Sequence, residues 1–136
     1  MTHLRVERSY GPVRRENYRR LRAHNAKVAG KLDCRPLAIT LREGSRIVVI
    51  LTDQTSQGSL FIDTVLISKK QRGKGMGKAL TEKAESEARK ARRAQAYLYS
   101  LSFQTPGFYR KLGYREVGRL DDFPKGHSRH WLAKAL

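Results

Sequence analysis

The chain has 136 residues, 39% of them hydrophobic, which suits one domain with a real core and leaves no room for a separate substrate or regulatory module. Lys and Arg number 29 against 12 Asp and Glu, a formal +17, so anionic partners are favoured. No stretch is apolar for long enough to span a bilayer, and the single Cys34 excludes an internal disulfide.

The first residues lack the apolar run of a signal peptide, so a cytoplasmic protein without membrane association is expected. Gly11-Pro12 offers a turn, and Val13 to Leu32 then reads as a helix. Tyr18, Leu21, Asn25 and Val28 recur on one side, with arginines over much of the rest. Leu37–Leu41 and Arg46–Leu51 read as a β-hairpin after Pro36, and Thr52 to Gly58 as a connection. Leu60–Ile67 is apolar on both faces, the pattern of a central strand, apart from Asp63, which alternation puts on the face of Phe61 and Val65. Lys78–Arg92 reads as a helix with Leu80, Ala84, Ala88 and Ala91 on one side. Ala96–Ser100 is a strand, Pro106–Leu112 a short helix stopped by Gly113, and Tyr114–Arg119 and His130–Ala133 are the last strands. The order predicts an α+β fold of mixed α/β layers, with a central, mostly antiparallel twisted sheet flanked by helices, as one domain over 1–136.

Between the central strand and the following helix lies Arg72-Gly73-Lys74-Gly75-Met76-Gly77-Lys78. Alternate glycines before a helix leave backbone N–H groups uncovered, and the helix N-terminus adds partial positive charge, so the segment is expected to cradle phosphate. A tight strand-to-helix turn is the alternative, although that needs one glycine and not three. A Walker A loop would need glycine at 72 and Ser or Thr at 79, where Arg72 and Ala79 stand. A Rossmann fingerprint would need glycine at 78 or 80, where Lys78 and Leu80 stand.

What remains, Arg72-x-x-Gly75-x-Gly77, resembles the pyrophosphate signature of the GNAT superfamily of N-acetyltransferases. Phe108-Tyr109-Arg110-Lys111-Leu112-Gly113-Tyr114 is similar to that family's downstream aromatic segment. Ser102-Phe103-Gln104 and Asp122-Phe123-Pro124-Lys125-Gly126-His127 look like those of small bacterial members, and the resemblance runs from about residue 36 to the end. It implies the family's acyl-CoA N-acyltransferase fold and acetyl-CoA as cosubstrate. It also implies direct attack of a primary amine on the thioester through a tetrahedral oxyanion, with thiolate as leaving group. Arg72 to Lys78 would hold the pyrophosphate, backbone groups of Val65, Leu66 and Ile67 the pantetheine arm and thioester, and Tyr109 the position of the general acid.

Asp63, a carboxylate in an apolar strand, is the candidate base, or else a hydrogen-bond acceptor at a bulge. His127 and His130 are alternative bases or ordinary turn and surface histidines. Cys34 reads as a small core residue, and no metal-ligating set is singled out. The acceptor, whether small amine, antibiotic or protein, is not legible. Family acceptor sites lie near the N-terminal helices and the loop before the last strand, where Asp121 and Asp122 would receive a cation or cap a turn. Pairing of the last strand across a homodimer is frequent in the family. The charge also allows a second class, a nucleic-acid- or ribosome-associated binding module on the same fold.

Overall fold

The computed structural model describes residues 2–56 and 58–136, the side chains of 48–56 excepted. It divides into two compact units, one ending at Leu32 and the other Asp33–Leu136.

The first unit contains helix α1, Tyr10–Ala29. It starts three residues before the expected Val13, because Pro12 falls within the first turn, where a missing N–H costs nothing. It stops at Gly30, whose φ of 80° no helix continues and whose N–H still bonds the Ala26 carbonyl at 3.2 Å.

In the second unit a six-stranded sheet runs in the order β1-β2-β3-β4-β6-β5: β1 Cys34–Glu43, β2 Arg46–Ser56, β3 Ser59–Ile67, β4 Gln95–Leu101, β5 Arg115–Asp121 and β6 Ser128–Ala135. Every neighbouring pair is antiparallel except β3 and β4. Residues 52–56, expected as a connection, continue β2 and pair with β1 and β3. Polar composition there hid a strand whose partners are set by the hairpin. Pro36 is tolerated inside β1 because β1 is an edge strand. Cys34 opens that strand and is exposed, not a core residue.

Helix α2, Met76–Lys90, and helix α3, Pro106–Lys111, complete the unit. Leu60 and Ile62 of β3, Ala96 and Leu98 of β4, and Leu132 of β6 meet Leu80, Ala84 and Ala88 of α2 and Tyr109 of α3 in one core. Leu60, Leu98 and Leu132 are fully buried, each worth roughly 1.5–3 kcal/mol of apolar transfer. The alanines of α2 let the helix lie close to the sheet, as their spacing predicts.

Candidate active site

The parallel ladder between β3 and β4 is short. Only Ser59, Leu60 and Phe61 pair with Gln95, Ala96 and Tyr97, while β3 runs on to Ile67 and β4 to Leu101. Beyond Phe61 the two strands part, and the edge of β3 that faces β4 has no strand partner. A cleft of about 750 Å³ opens there, within the size range of small-molecule sites.

A bulge shapes the lip of this cleft. Thr64 pairs with Thr52 and Ile62 with Asp53, so Asp63 is an extra residue in β3. Strict alternation therefore fails at this point: Val65 and Ile67 pack against the core on which Ile62 lies, while Phe61 stacks on the exposed Tyr97 of the other face. Asp63, Thr64 and Leu66 are exposed. A strand buried on both faces throughout is corrected to one that keeps only its core-facing Val65 and Ile67 packed beyond Asp63, because β4 has diverged. Asp63, Val65, Leu66 and Ile67 all line the cleft.

The glycine segment forms the floor. Gly73 and Gly75 have φ of 72° and 75°, the left-handed region, and a Cβ on either would meet only open space. Gly77 differs: a Cβ there would stand 3.0 Å from Phe108 Cζ and 3.4 Å from Ile67 Cδ1. That glycine serves close packing of the α2 start against α3 and β3. Gly75 is the N-cap of α2, and the first helical bond is donated by the Ala79 N–H to the Gly75 carbonyl at 3.0 Å. Among the described residues, the N–H groups of Met76, Gly77 and Lys78 have no acceptor, so three donors and the positive end of the helix dipole lie in a segment that lines the cleft. Arg72, Gly73, Gly75, Met76, Gly77 and Lys78 line the cleft; Lys74 is exposed outside the lining. The Arg72 Nε–H bonds the Ile67 carbonyl at 3.1 Å, which pins the turn to the end of β3.

Tyr109 enters from α3. It is 8% exposed, lies edge-on to Phe108 (5.0 Å) and Tyr114 (5.8 Å), and lines the same cleft. No described residue hydrogen-bonds its hydroxyl, and burial pushes its pKa up from the ordinary phenol value. A phenol so placed stays protonated and keeps its O–H to donate.

Other candidates fall elsewhere. His127 is exposed in the β5–β6 turn, edge-on to Phe103 at 4.8 Å. Asp122 accepts the Gly126 N–H at 3.1 Å and so caps that turn, and Asp121 pairs with Arg119 at 2.8 Å. His130 is buried outside the cleft lining, in a chain of bonds that the sequence does not reveal. Its Nδ1 faces the Glu116 carboxylate, which can only accept, so Nδ1 carries a proton, and its Nε2 lies 2.7 Å from Ser128 Oγ. Arg110, beside Tyr109 on α3, bonds Glu116 at 3.0 Å. Ser128 exchanges bonds with Ser102, before α3: its N–H reaches Ser102 Oγ at 3.0 Å, and its carbonyl takes the Ser102 N–H at 2.8 Å. The segment bearing Tyr109 is thus tied at both ends to β5 and β6. The only sequence signal was Ser128 and His130 at strand period two.

The His130 hydrogen bond, with Arg110, holds the Glu116 carboxyl below the ordinary carboxylate range. A depressed native pKa gives stability present above the unfolded value and lost as pH falls through the native one. We expect the melting-temperature advantage of the wild type over Glu116→Gln to shrink between about pH 5 and 3. A pH-independent difference in thermal scans would show that the ionised carboxylate is not what matters.

A strand pair that parts beside a helix N-terminus with unbonded N–H groups, with a buried phenol in the gap, forms a cleft suited to a phosphate-bearing ligand. The comparisons agree. Residues 37–116 match the family model described as an acetyltransferase (GNAT) domain. The chain is 31% identical over 113 residues, 82% of both proteins, to acetyltransferase Atu2258 of Agrobacterium fabrum. It is 35% identical over 78 residues, 57% of both, to the blasticidin-S acetyltransferase of Streptomyces morookaense. A crystal structure of an acetyltransferase from Bacillus cereus superposes with a TM-score of 0.88 and 28% identity over 100% of this chain and 99% of that one. The chain belongs to the GNAT acetyltransferases, and acetyl-CoA is its acetyl donor. No helix among the described residues is long and apolar enough to cross a membrane.

Proposed function

We propose that the chain, residues 1–136 acting as one domain in the cytoplasm, moves an acetyl group from acetyl-CoA to a primary amine by direct attack in the β3–β4 cleft. The observation that carries this reading is the parting of β3 from β4 directly against the unbonded N–H groups that open α2. Arg72 and the 73–78 turn bind the pyrophosphate, with Lys74 adding charge from outside the lining. The unpaired edge of β3 at Val65, Leu66 and Ile67 orients the pantetheine arm and supplies N–H donors to the developing oxyanion. Tyr109 gives its proton to the departing sulfur, and Asp63, wet at the bulge, takes the proton of the amine directly or through water.

The cradle is tested at Gly75. Asparagine tolerates the left-handed conformation better than other side chains, and would fill the open space over the N–H groups. Gly75→Asn is expected to weaken acetyl-CoA binding by at least about tenfold, 1.4 kcal/mol, in calorimetry, with little change in melting temperature. Unaltered binding would remove the pyrophosphate from this turn. Acetyl-CoA consumption against a panel of small amines, aminated antibiotics and protein substrates then identifies the acceptor class.

A further inference from the structure

On the face of the sheet away from the core, Phe61, Tyr97, Tyr99 and Trp131 form a run of ring contacts 5.0 to 6.3 Å apart. At its end stands Arg129 of β6, half-buried, its backbone between Leu101 of β4 and Leu120 of β5. The guanidinium carbon lies 3.6 Å from the centre of the Phe123 ring and 4.7 Å from that of Tyr99. Two rings therefore fix the cation through their faces, and a ring face gives its N–H groups no hydrogen-bond acceptor. Among the described residues, its buried Nε has no hydrogen-bond partner.

The neighbouring carboxylates are all committed elsewhere. Asp121 pairs with Arg119, Asp122 caps the turn, and Glu116 holds His130 and Arg110. Among the described residues, no carboxylate lies within ion-pair distance of Arg129, although Arg93, Arg110 and Arg119 each have one. A guanidinium held between two rings, with its Nε buried and no countercharge beside it, calls for an oxyanion, which such a group meets with two parallel bonds. Tyr99, the ring against Arg129, also lines the cleft beside Asp63 and Thr64.

We infer that Arg129 binds an oxyanion carried by the acceptor, so that the substrate class is an amine bearing a carboxylate or phosphoryl group. This rests on the reading of the cleft as the acetyl-transfer site. The pyrophosphate of acetyl-CoA is addressed at the start of α2, by other residues than Arg129. The acceptor would lie with its anionic end on Arg129 and its amine toward the Asp63 lip, its body against Tyr99.

Trp131 is the only tryptophan and lies 6.2 Å from Tyr99, so its fluorescence reports on this surface. The CoA-loaded protein is titrated with phenylalanine, phenylalaninamide and phosphoethanolamine. At least one oxyanion probe is expected to give a saturable response at tenfold or more lower concentration than the amide. Which of the two does so tells carboxylate from phosphoryl. Arg129→Gln and Arg129→Lys should each lose that selectivity, with CoA binding by calorimetry unchanged. An amide that titrates as well as both acids, a variant that keeps the selectivity, or no saturable response to either oxyanion overturns the inference. The acid-against-amide comparison stands on the wild type alone, whatever the variants do to folding. Wild-type protein that fails to bind CoA would instead sink the cleft reading, whereas intact CoA binding without oxyanion selectivity sinks only the role of Arg129.

Discussion

Tyr109→Phe is expected to lower turnover by about 100-fold while leaving acetyl-CoA affinity and thermal stability nearly unchanged. Buried tyrosines usually lose stability with their hydroxyl, because the hydroxyl is bonded. Tyr109 differs, since no described residue accepts or donates a bond at its phenol, so the variant leaves no partner stranded. The ring and its contacts with Phe108 and Tyr114 survive in phenylalanine. What disappears is the proton for the leaving sulfur. The raised pKa adds a second signature: ionisation of Tyr109 should not limit the wild-type rate until above the ordinary phenol value of about 10. Unchanged turnover at saturating acetyl-CoA would take Tyr109 out of the acid role, and an alkaline limb near neutrality that vanishes in the variant would contradict the protonated phenol.

The legible part of this site was the part written in local spacing. Arg72-x-x-Gly75-x-Gly77 and Phe108-Tyr109 announce themselves, and both reach the cleft. Spacing did not separate the reasons for the three glycines, because Gly73 and Gly75 answer to backbone conformation and Gly77 to a phenylalanine 31 residues away. A bulge was among the expectations for Asp63 and is present, but strict alternation misplaced the faces beyond it, since one inserted residue shifts the register without changing composition. Helix α2 was legible to within two residues, from its alanines. The fate of residues 52–56 was not, because polar residues enter strands when both neighbours supply a ladder. Long-range polar partners are the least legible class: Glu116, His130 and Ser128 meet only after β5 and β6 pair, and Arg129 stands out only by the absence of a partner.

The same limit hid Glu85, whose removal is expected to have the largest effect on stability. In the sequence it is one more acid on a charged helix. In the fold it is 2% exposed among Ala84, Ala88 and the sheet, a carboxylate that accepts the Tyr114 O–H at 3.0 Å and the Lys134 ammonium at 3.0 and 2.9 Å, with Arg89 at 3.5 Å. Burial and the charge of Glu85 together push the Tyr114 pKa far up, so that phenol remains a donor. The cluster joins α2, β6 and Tyr114, which stands between α3 and β5, and thus fixes the helix carrying the N–H cradle against the segment carrying Tyr109. Glu85→Ala strands a buried phenol and a half-buried ammonium at once, and should cost about 3–5 kcal/mol, a large share of the stability of a small domain. Glu85→Gln keeps an acceptor for Tyr114 but no countercharge for Lys134, and should cost less. Replacing all three groups, Glu85→Leu with Tyr114→Phe and Lys134→Met, should recover much of the loss, because no polar group is then left unsatisfied. Urea unfolding followed by circular dichroism measures each difference at constant m. A cost below about 1 kcal/mol for Glu85→Ala, the range of exposed pairs, would show that water already serves this carboxylate and that the cluster does not hold α2 in place.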